Sequence, residues 1–255
     1  MIRGVARKFF EGKSCIFCGK YNLYKLKDKR VKCKHCKKKY SLTKLKRDLQ
    51  ILYYFYLEIS ARRAAKELQL NYKLIHRKFM QFRKLIGEHC NKEANKLNGE
   101  LEIDESYFGG KRKGNRGRGA NNKAIAFGIL ERNGKIYTKI VENVSAEILM
   151  NEIQNKTLKG SVFYTDGWKS YASLEQYGKH NIIDHDKELV NNHNHINGIE
   201  GFWSFAKERF HKYHGISKTN YPFYVKEMEF RFNHRNESIF NLLFDICVRR
   251  LVGAK

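Results

Sequence analysis

Four cysteines within the first 36 residues leave the start of this chain few ways to fold. Cys15 and Cys18 form one C-x2-C pair, Cys33 and Cys36 a second, with 14 residues between them. A C-x2-C step fits a tight knuckle turn. Two facing knuckles place four thiolates at the corners of a tetrahedron, the geometry Zn2+ takes in closed structural sites. Gly19, directly after the first pair, suits such a turn. His35 lies inside the second knuckle and is an alternative ligand. So small a segment does not fold without its metal, and residues 1–42 are therefore predicted to be a zinc ribbon. Cys90 and Cys247 have no partner spacing and are expected to be core thiols.

Charge points to the partner. The chain carries 51 Lys and Arg against 26 Asp and Glu, a formal net charge of +25. Residues 1–99 hold 27 of the basic groups and only 7 of the acidic ones. Such a field attracts a polyanion, and counterion release from nucleic acid is its usual source of affinity. A membrane partner is not expected: no apolar run approaches the roughly 18 residues of a spanning helix, and the longest runs from Ile51 to Leu57. "MIRGVARKFFEGK" lacks the apolar core of a signal peptide. The chain is read as cytoplasmic and nucleoid-associated when bound to DNA, where disulfides are not expected.

After the ribbon, "TKLKRDLQILYYFYLEIS" has helical apolar spacing, "SARRAAKEL" follows with Ser60 as N-cap, and "YKLIHRKFMQFRKLI" follows Asn71 as the next cap. Helix, tight turn and basic helix make the outline of a helix-turn-helix, assigned to residues 43–98. Lys73, His76, Arg77 and Lys78, with Arg83 and Lys84 beyond them, are the candidates for meeting DNA.

From Glu100 the pattern changes to strands. "GELEIDESYF", "KAIAFGILER" and "KIYTKIVE" read as three successive strands, with Asn133-Gly134 as a hairpin turn between the last two. "SAEILMNEIQNK" reads as a helix capped by Ser145, "GSVFYTDGW" and "NIIDH" as two further strands, and the rest as mostly helical. The expected class is α+β, a mixed sheet covered by helices over residues 99–255. Between the first two strands, "GGKRKGNRGRGANNK" lacks the order of a nucleotide-binding P-loop. Its Lys111, Arg112, Lys113, Arg116 and Arg118 suit a basic loop lying along a nucleic-acid backbone.

Asp104 follows the apolar start of the first strand and Asp166 ends the fourth. If those strands are neighbours, the two carboxylates face each other. In "HINGIEGFWSFAKERF", Asn197, Glu200, Ser204 and Lys207 share one stripe of a helix, at about 100° per residue, beside an aromatic arc. Glu200 would complete a set of three hard oxygen donors suited to Mg2+ or Mn2+ and to phosphoryl displacement. Asn197, one turn earlier, is the alternative third residue; His193 and His195 lie nearby. A carboxylate binds Mg2+ better than an amide does, which favours Glu200.

The ordered stretches "LEIDESYFGG", "FYTDGWKSY" and "HINGIEGFWS", after a zinc ribbon and helix-turn-helix, resemble a bacterial insertion-sequence transposase of the DDE type. That resemblance covers nearly the whole chain. It implies a ribonuclease H-like catalytic domain, terminal inverted repeats and target DNA as partners, cleavage and strand transfer, and a homodimer or higher oligomer in the synaptic complex. By position Asp104, Asp166 and Glu200 are the three acids, and Lys207, seven residues beyond Glu200, matches the basic residue that closes the D-D-E-K pattern. Three rivals remain: a non-enzymatic regulator built on the same DNA-binding module, a structure-selective nuclease, and a decayed element copy.

Overall fold

The computed structural model describes residues 14–93, 95–109, 123–132, 134–167, 169–183, 194–213 and 215–248. Contacts divide the chain into two compact units: Met1–Ile86 together with Asn236–Lys255, and Gly87–Arg235. Residues 236–255, which sequence patterning kept with the sheet region, thus group with the N-terminal elements.

The first unit opens with a three-stranded antiparallel sheet of β1 (Leu23–Lys25), β2 (Arg30–Cys33) and β3 (Lys39–Ser41). Three helices follow: α1 (Leu42–Tyr56), α2 (Ala61–Leu68) and α3 (Tyr72–Glu93), the unit boundary falling inside α3. Each of the first two is capped by a serine, whose side chain accepts from the backbone N–H of Lys44 (Ser41) or Arg63 (Ser60). Gln69 ends α2 in the left-handed region at φ 52°, and Asn71 Oδ1 accepts from Lys73 N at the next helix start. Leu45, Leu49, Leu52 and Phe55 form one buried stripe of α1, and Phe55 meets Phe79 and Phe82 of α3 at 5.2 and 5.4 Å between ring centroids. Short α7 (Ile239–Leu243) also belongs here, with Phe240 against Tyr53 and Tyr56 of α1.

The second unit is built on a five-stranded sheet of order β6-β5-β4-β7-β8: β4 (Glu100–Phe108), β5 (Ala124–Glu131), β6 (Ile136–Val141), β7 (Val162–Asp166) and β8 (Lys179–Ile183). The β4–β5 and β5–β6 pairs are antiparallel, whereas β4–β7 and β7–β8 are parallel. In chain order that is 3-2-1-4-5 with three antiparallel and two parallel strands, the ribonuclease H-like arrangement. Helix α4 (Ala146–Lys156), capped by Ser145, supplies the crossover.

Alternation along β4 sorts its side chains. Leu101 and Ile103 join Phe127, Ile129, Leu149, Ile153 and Phe163 on the face covered by α4. Phe108 joins Ala126, Leu130, Tyr164, Ile199, Phe202 and Trp203 on the other, under α5 (Asn197–Phe210) and α6 (Tyr221–Asn233). Strand β6 lies at the sheet edge, where unpaired backbone groups would attract another strand. Helix α6 covers it chemically: Asn233 takes both backbone groups of Ile136 at 2.8 and 2.9 Å, and Glu229 accepts from Thr138 N and Oγ1 at 2.7 Å.

Candidate active site

The parallel register brings two acids level. Leu101 pairs with Phe163 and Glu102 with Tyr164; Asp104 and Asp166, the last residue of β7, each follow two residues beyond that last pair. Both strands end in the same direction, and Asp104 has the parity of the face that α5 covers. Glu200 occupies the first turn of α5 and Lys207 its last.

Asp104 feels the charges of the other three. Burial is the main cause that pushes the Asp104 carboxyl up to about 6, and the charges of Asp166 and Glu200 raise it further. The Glu105 backbone N–H and the Lys207 ammonium pull in the opposite direction. The three carboxylates do not all lie within ligand reach of one another. They are absent from the groups of three or more His, Cys, Asp or Glu ligand atoms lying within 4.8 Å of one another among the described residues. The donor set suits a hard divalent cation, whose charge would relieve the repulsion that Asp104 feels.

What seats α5 over the sheet was missed by sequence reasoning. Its N-cap, Ile196, makes no side-chain cap bond. The missing acceptor comes from β4 instead: Glu102, 1% exposed, accepts from Ile199 N at 2.8 Å. Arg132 holds that carboxylate, donating to Glu102 at 3.0 Å, to Glu100 at 3.0 Å and to the His195 carbonyl at 2.6 Å, with its guanidinium 3.7 Å from the Tyr164 ring centroid. Two glycines make the approach possible. A Cβ on Gly198 would lie 2.8 Å from Glu102 Oε2, and one on Gly128 2.7 Å from the Trp203 ring. Gly128 is the residue paired with Asp104 across the β4–β5 ladder. The available signal was parity: Glu102 shares the face of Asp104 and cannot be a solvent-side strand residue if Asp104 is not.

The four cysteines form a second site. Cys15 Sγ lies 3.5 Å from Cys36 Sγ, and Cys18 Sγ 3.7 Å from Cys33 Sγ. A disulfide needs about 2.05 Å, whereas corners of a Zn–S tetrahedron with 2.3 Å bonds are about 3.8 Å apart. The two knuckles repeat each other: Gly19 N donates to Cys15 O and Lys37 N to Cys33 O, with φ of 69° and 59° at those two residues. Burial pushes the Cys15 thiol up to about 12. Cys33, although burial acts on it the same way, is brought down to about 7 by the backbone N–H groups of Cys36 and His35 and by Cys18 and Cys36.

Among the DNA-facing candidates, Lys73 and Arg77 are exposed and His76 half-buried beside the Tyr72 ring. Lys78 is a correction: it is buried and donates to Asp48 Oδ2 at 2.9 Å, a charge pair inside the helical core. Arg83 is likewise 2% exposed, its guanidinium 5.3 Å from the Phe55 ring centroid. Arg231 is buried against Glu227, and His234 is buried as well. Lys111, Arg112, Lys113, Arg116, Arg118 and His193 lie outside the described residues. No helix among the described residues is long and apolar enough to cross a membrane.

Comparison with known proteins gives a consistent picture. A family model described as the ISXO2-like transposase domain matches residues 96–233. A transposase-like protein of Haemophilus influenzae is 41% identical over 101 residues, spanning 39% of this chain and 82% of that one. A protein in transposable element ISH50 of Halobacterium salinarum is 26% identical over 205 residues, 72% of this chain and 67% of that one. Among solved structures, the catalytic domain of Mos1 mariner transposase has 13% identity and a TM-score of 0.29, covering 73% of this chain and 97% of that one.

Proposed function

Because the chain belongs to the ISXO2-like transposase domain family, we propose that it binds the terminal inverted repeats of an insertion sequence and catalyses cleavage and strand transfer at them. Recognition falls to the first unit, where Lys73, His76 and Arg77 offer donors to bases and phosphates beside a ribbon held by Zn2+ on Cys15, Cys18, Cys33 and Cys36. The lysines and arginines of the 111–118 segment add contacts to the DNA backbone. Target DNA is the second partner, and pairing of two element ends calls for at least a homodimer.

In the second unit Asp104, Asp166 and Glu200 would hold Mg2+ or Mn2+. Bound there, the ion supplies charge to the phosphoryl oxygens and acidifies the attacking water or hydroxyl. The protein's own part is positioning. Glu102 and Arg132 fix the N-terminal end of α5, so Glu200 arrives at the sheet with a defined direction. Lys207, about 10.5 Å along the helix axis from Glu200 at 1.5 Å per residue, grips a phosphate rather than pairing with that acid. The freed 3′-hydroxyl attacks target DNA at the same carboxylates, with no covalent protein intermediate.

The family match over residues 96–233, with Asp104 and Asp166 on neighbouring parallel strands and Glu200 and Lys207 on the helix covering that face, is what supports this reading. Its test is to incubate the purified protein with labelled DNA carrying the genomic flanks of its own gene, plus Mg2+ or Mn2+. The expected result is nicking at the repeats and joined products, abolished in Asp104→Ala while end binding persists. Cleavage at the wild-type rate by Asp104→Ala would overturn the assignment of the acids. Metal-independent binding with no nicking by the wild type would leave a DNA-binding regulator instead.

A further inference from the structure

A third group of metal-ligating side chains stands apart from both sites above. His89 and Glu93, one turn apart in the last turns of α3, meet His234, which ends α6. One ligand atom from each lies within 4.8 Å of the other two. The Glu93 Oε2 atom is 3.3 Å from His89 Nε2 and 3.7 Å from His234 Nε2. Ligands held 2.0–2.1 Å from a tetrahedral Zn2+ are about 3.4 Å apart, so both edges already have the length that a shared ion imposes. Phe230, fully buried, packs on both imidazoles at 6.0 and 4.6 Å between ring centroids, which limits how far either can turn.

We infer that His89, Glu93 and His234 form a binding site for a Zn2+-class transition metal. Two imidazoles and one carboxylate make an N2O set, which favours Zn2+, Co2+ or Ni2+ over Mg2+. Glu93 and His234 also line a cavity of about 210 Å3, room enough for a water as fourth ligand. Cys90 lines the same cavity but its thiol is directed at the Lys226 carbonyl, 3.8 Å away, so it is not a ligand.

Placement gives the site its role. All three residues lie outside the segment matched by the family model, two before it and one after it. The chain enters the second unit at Gly87 and leaves it at Arg235. A metal on these residues ties the entry of that unit to its exit, closing the catalytic segment with one cross-link. It is therefore a structural clamp, independent of the carboxylates that hold the catalytic ion.

The test is a Co2+ titration of the full-length chain given one equivalent of Zn2+, which the four thiolates take first, in an Asp104→Asn background, which removes uptake by the carboxylate site. The four cysteines, already filled, contribute no thiolate charge-transfer bands. The expected result is one further equivalent of Co2+ with d–d bands of nitrogen and oxygen ligation, unaffected by millimolar Mg2+. His89→Ala and His234→Ala lose that equivalent. Glu93→Gln, at a largely exposed side chain that leaves folding intact, binds at least tenfold more weakly. Zn2+ at a hundredfold excess over its Kd for the parent chain raises Tm by roughly 5–10 °C there and by no more than about half as much in Glu93→Gln. Absence of those bands in the parent chain overturns the site, as does uptake that survives unchanged in both Glu93→Gln and His89→Ala.

Discussion

Replacing Glu102 by alanine tests how α5 is held. The substitution removes a backbone cap and a charge pair, with the 3.6 Å approach of His195 Nδ1 to the same carboxylate. The Ile199 N–H loses the acceptor that serves as a cap from another element, a loss of about 1 kcal/mol. Arg132 loses one of two carboxylates but keeps Glu100, the His195 carbonyl and the Tyr164 ring. Stripping a buried charge of its partner altogether costs about 3–5 kcal/mol. Because Arg132 keeps these partners, about 2 kcal/mol is the appropriate share. The sum, about 3 kcal/mol, lowers Tm by roughly 6–12 °C for a unit of this size. Glu102→Gln retains an acceptor for Ile199 and should lose about half as much. Thermal melts followed by circular dichroism read both. DNA joining should fall further than DNA binding in Glu102→Ala, since Glu200 rides on the helix that loosens. A Tm for Glu102→Ala within 2 °C of wild type, or an equal loss in Glu102→Gln, would refute the account.

Four further outcomes follow from the same structure. Gly128→Ala drives a methyl into the Trp203 ring and should cost about 1–3 kcal/mol, with strand transfer reduced in proportion to the displacement of α5, read by melts and joining assays. Asp104→Asn should stabilise the Mg2+-free protein. A carboxyl raised from 3.8 to about 6 on folding opposes folding above pH 6 and ceases to do so below 3.8, so the gain, up to about 3 kcal/mol at pH 8, should vanish by pH 4 in paired denaturant titrations. Lys73→Ala should weaken DNA binding and reduce its salt slope by about 1 without moving Tm, whereas Lys78→Ala should unfold the helical core by stranding Asp48. Cys90, whose thiol burial pushes far up, should resist alkylation in the native protein while the metal-free ribbon cysteines react, as mass spectrometry of labelled peptides would report.

Much of this was legible because periodicity and spacing report local geometry well. The double C-x2-C step, the Ser60 and Ser145 caps and the apolar runs of β4 and β5 all depend on near neighbours, and the structure places them accordingly. Lys37 was harder: it adopts the backbone twist that Gly19 supplies in the first knuckle, and a lysine carries no cue for a left-handed φ. Lys78 looks like its basic neighbours in the linear sequence but not on the wheel of α3. It falls in the stripe of Ile75, Phe79, Phe82 and Ile86, and Asp48 falls in the stripe of Leu45, Leu49 and Leu52. Opposite charges embedded in two facing apolar stripes signify a buried pair. The support of α5 by Glu102 and Arg132 joins residues 30 apart to each other and 97 from the helix, a relation that no local pattern encodes.

The grouping of both chain ends in one unit bears on how the molecule comes into being. Phe240 rests on Tyr53 and Tyr56, and Leu243, Phe244, Ile246 and Cys247 are buried. On the ribosome these residues emerge after the whole of Gly87–Arg235. The nascent first unit therefore waits, its α1 aromatics uncovered, while the sheet-bearing unit is synthesised and free to fold first. Closing contacts across so long a stretch of chain is slow. Completion of the first unit thus follows synthesis of the second, so a polypeptide interrupted before Ile239 never covers the Tyr53 and Tyr56 rings with Phe240.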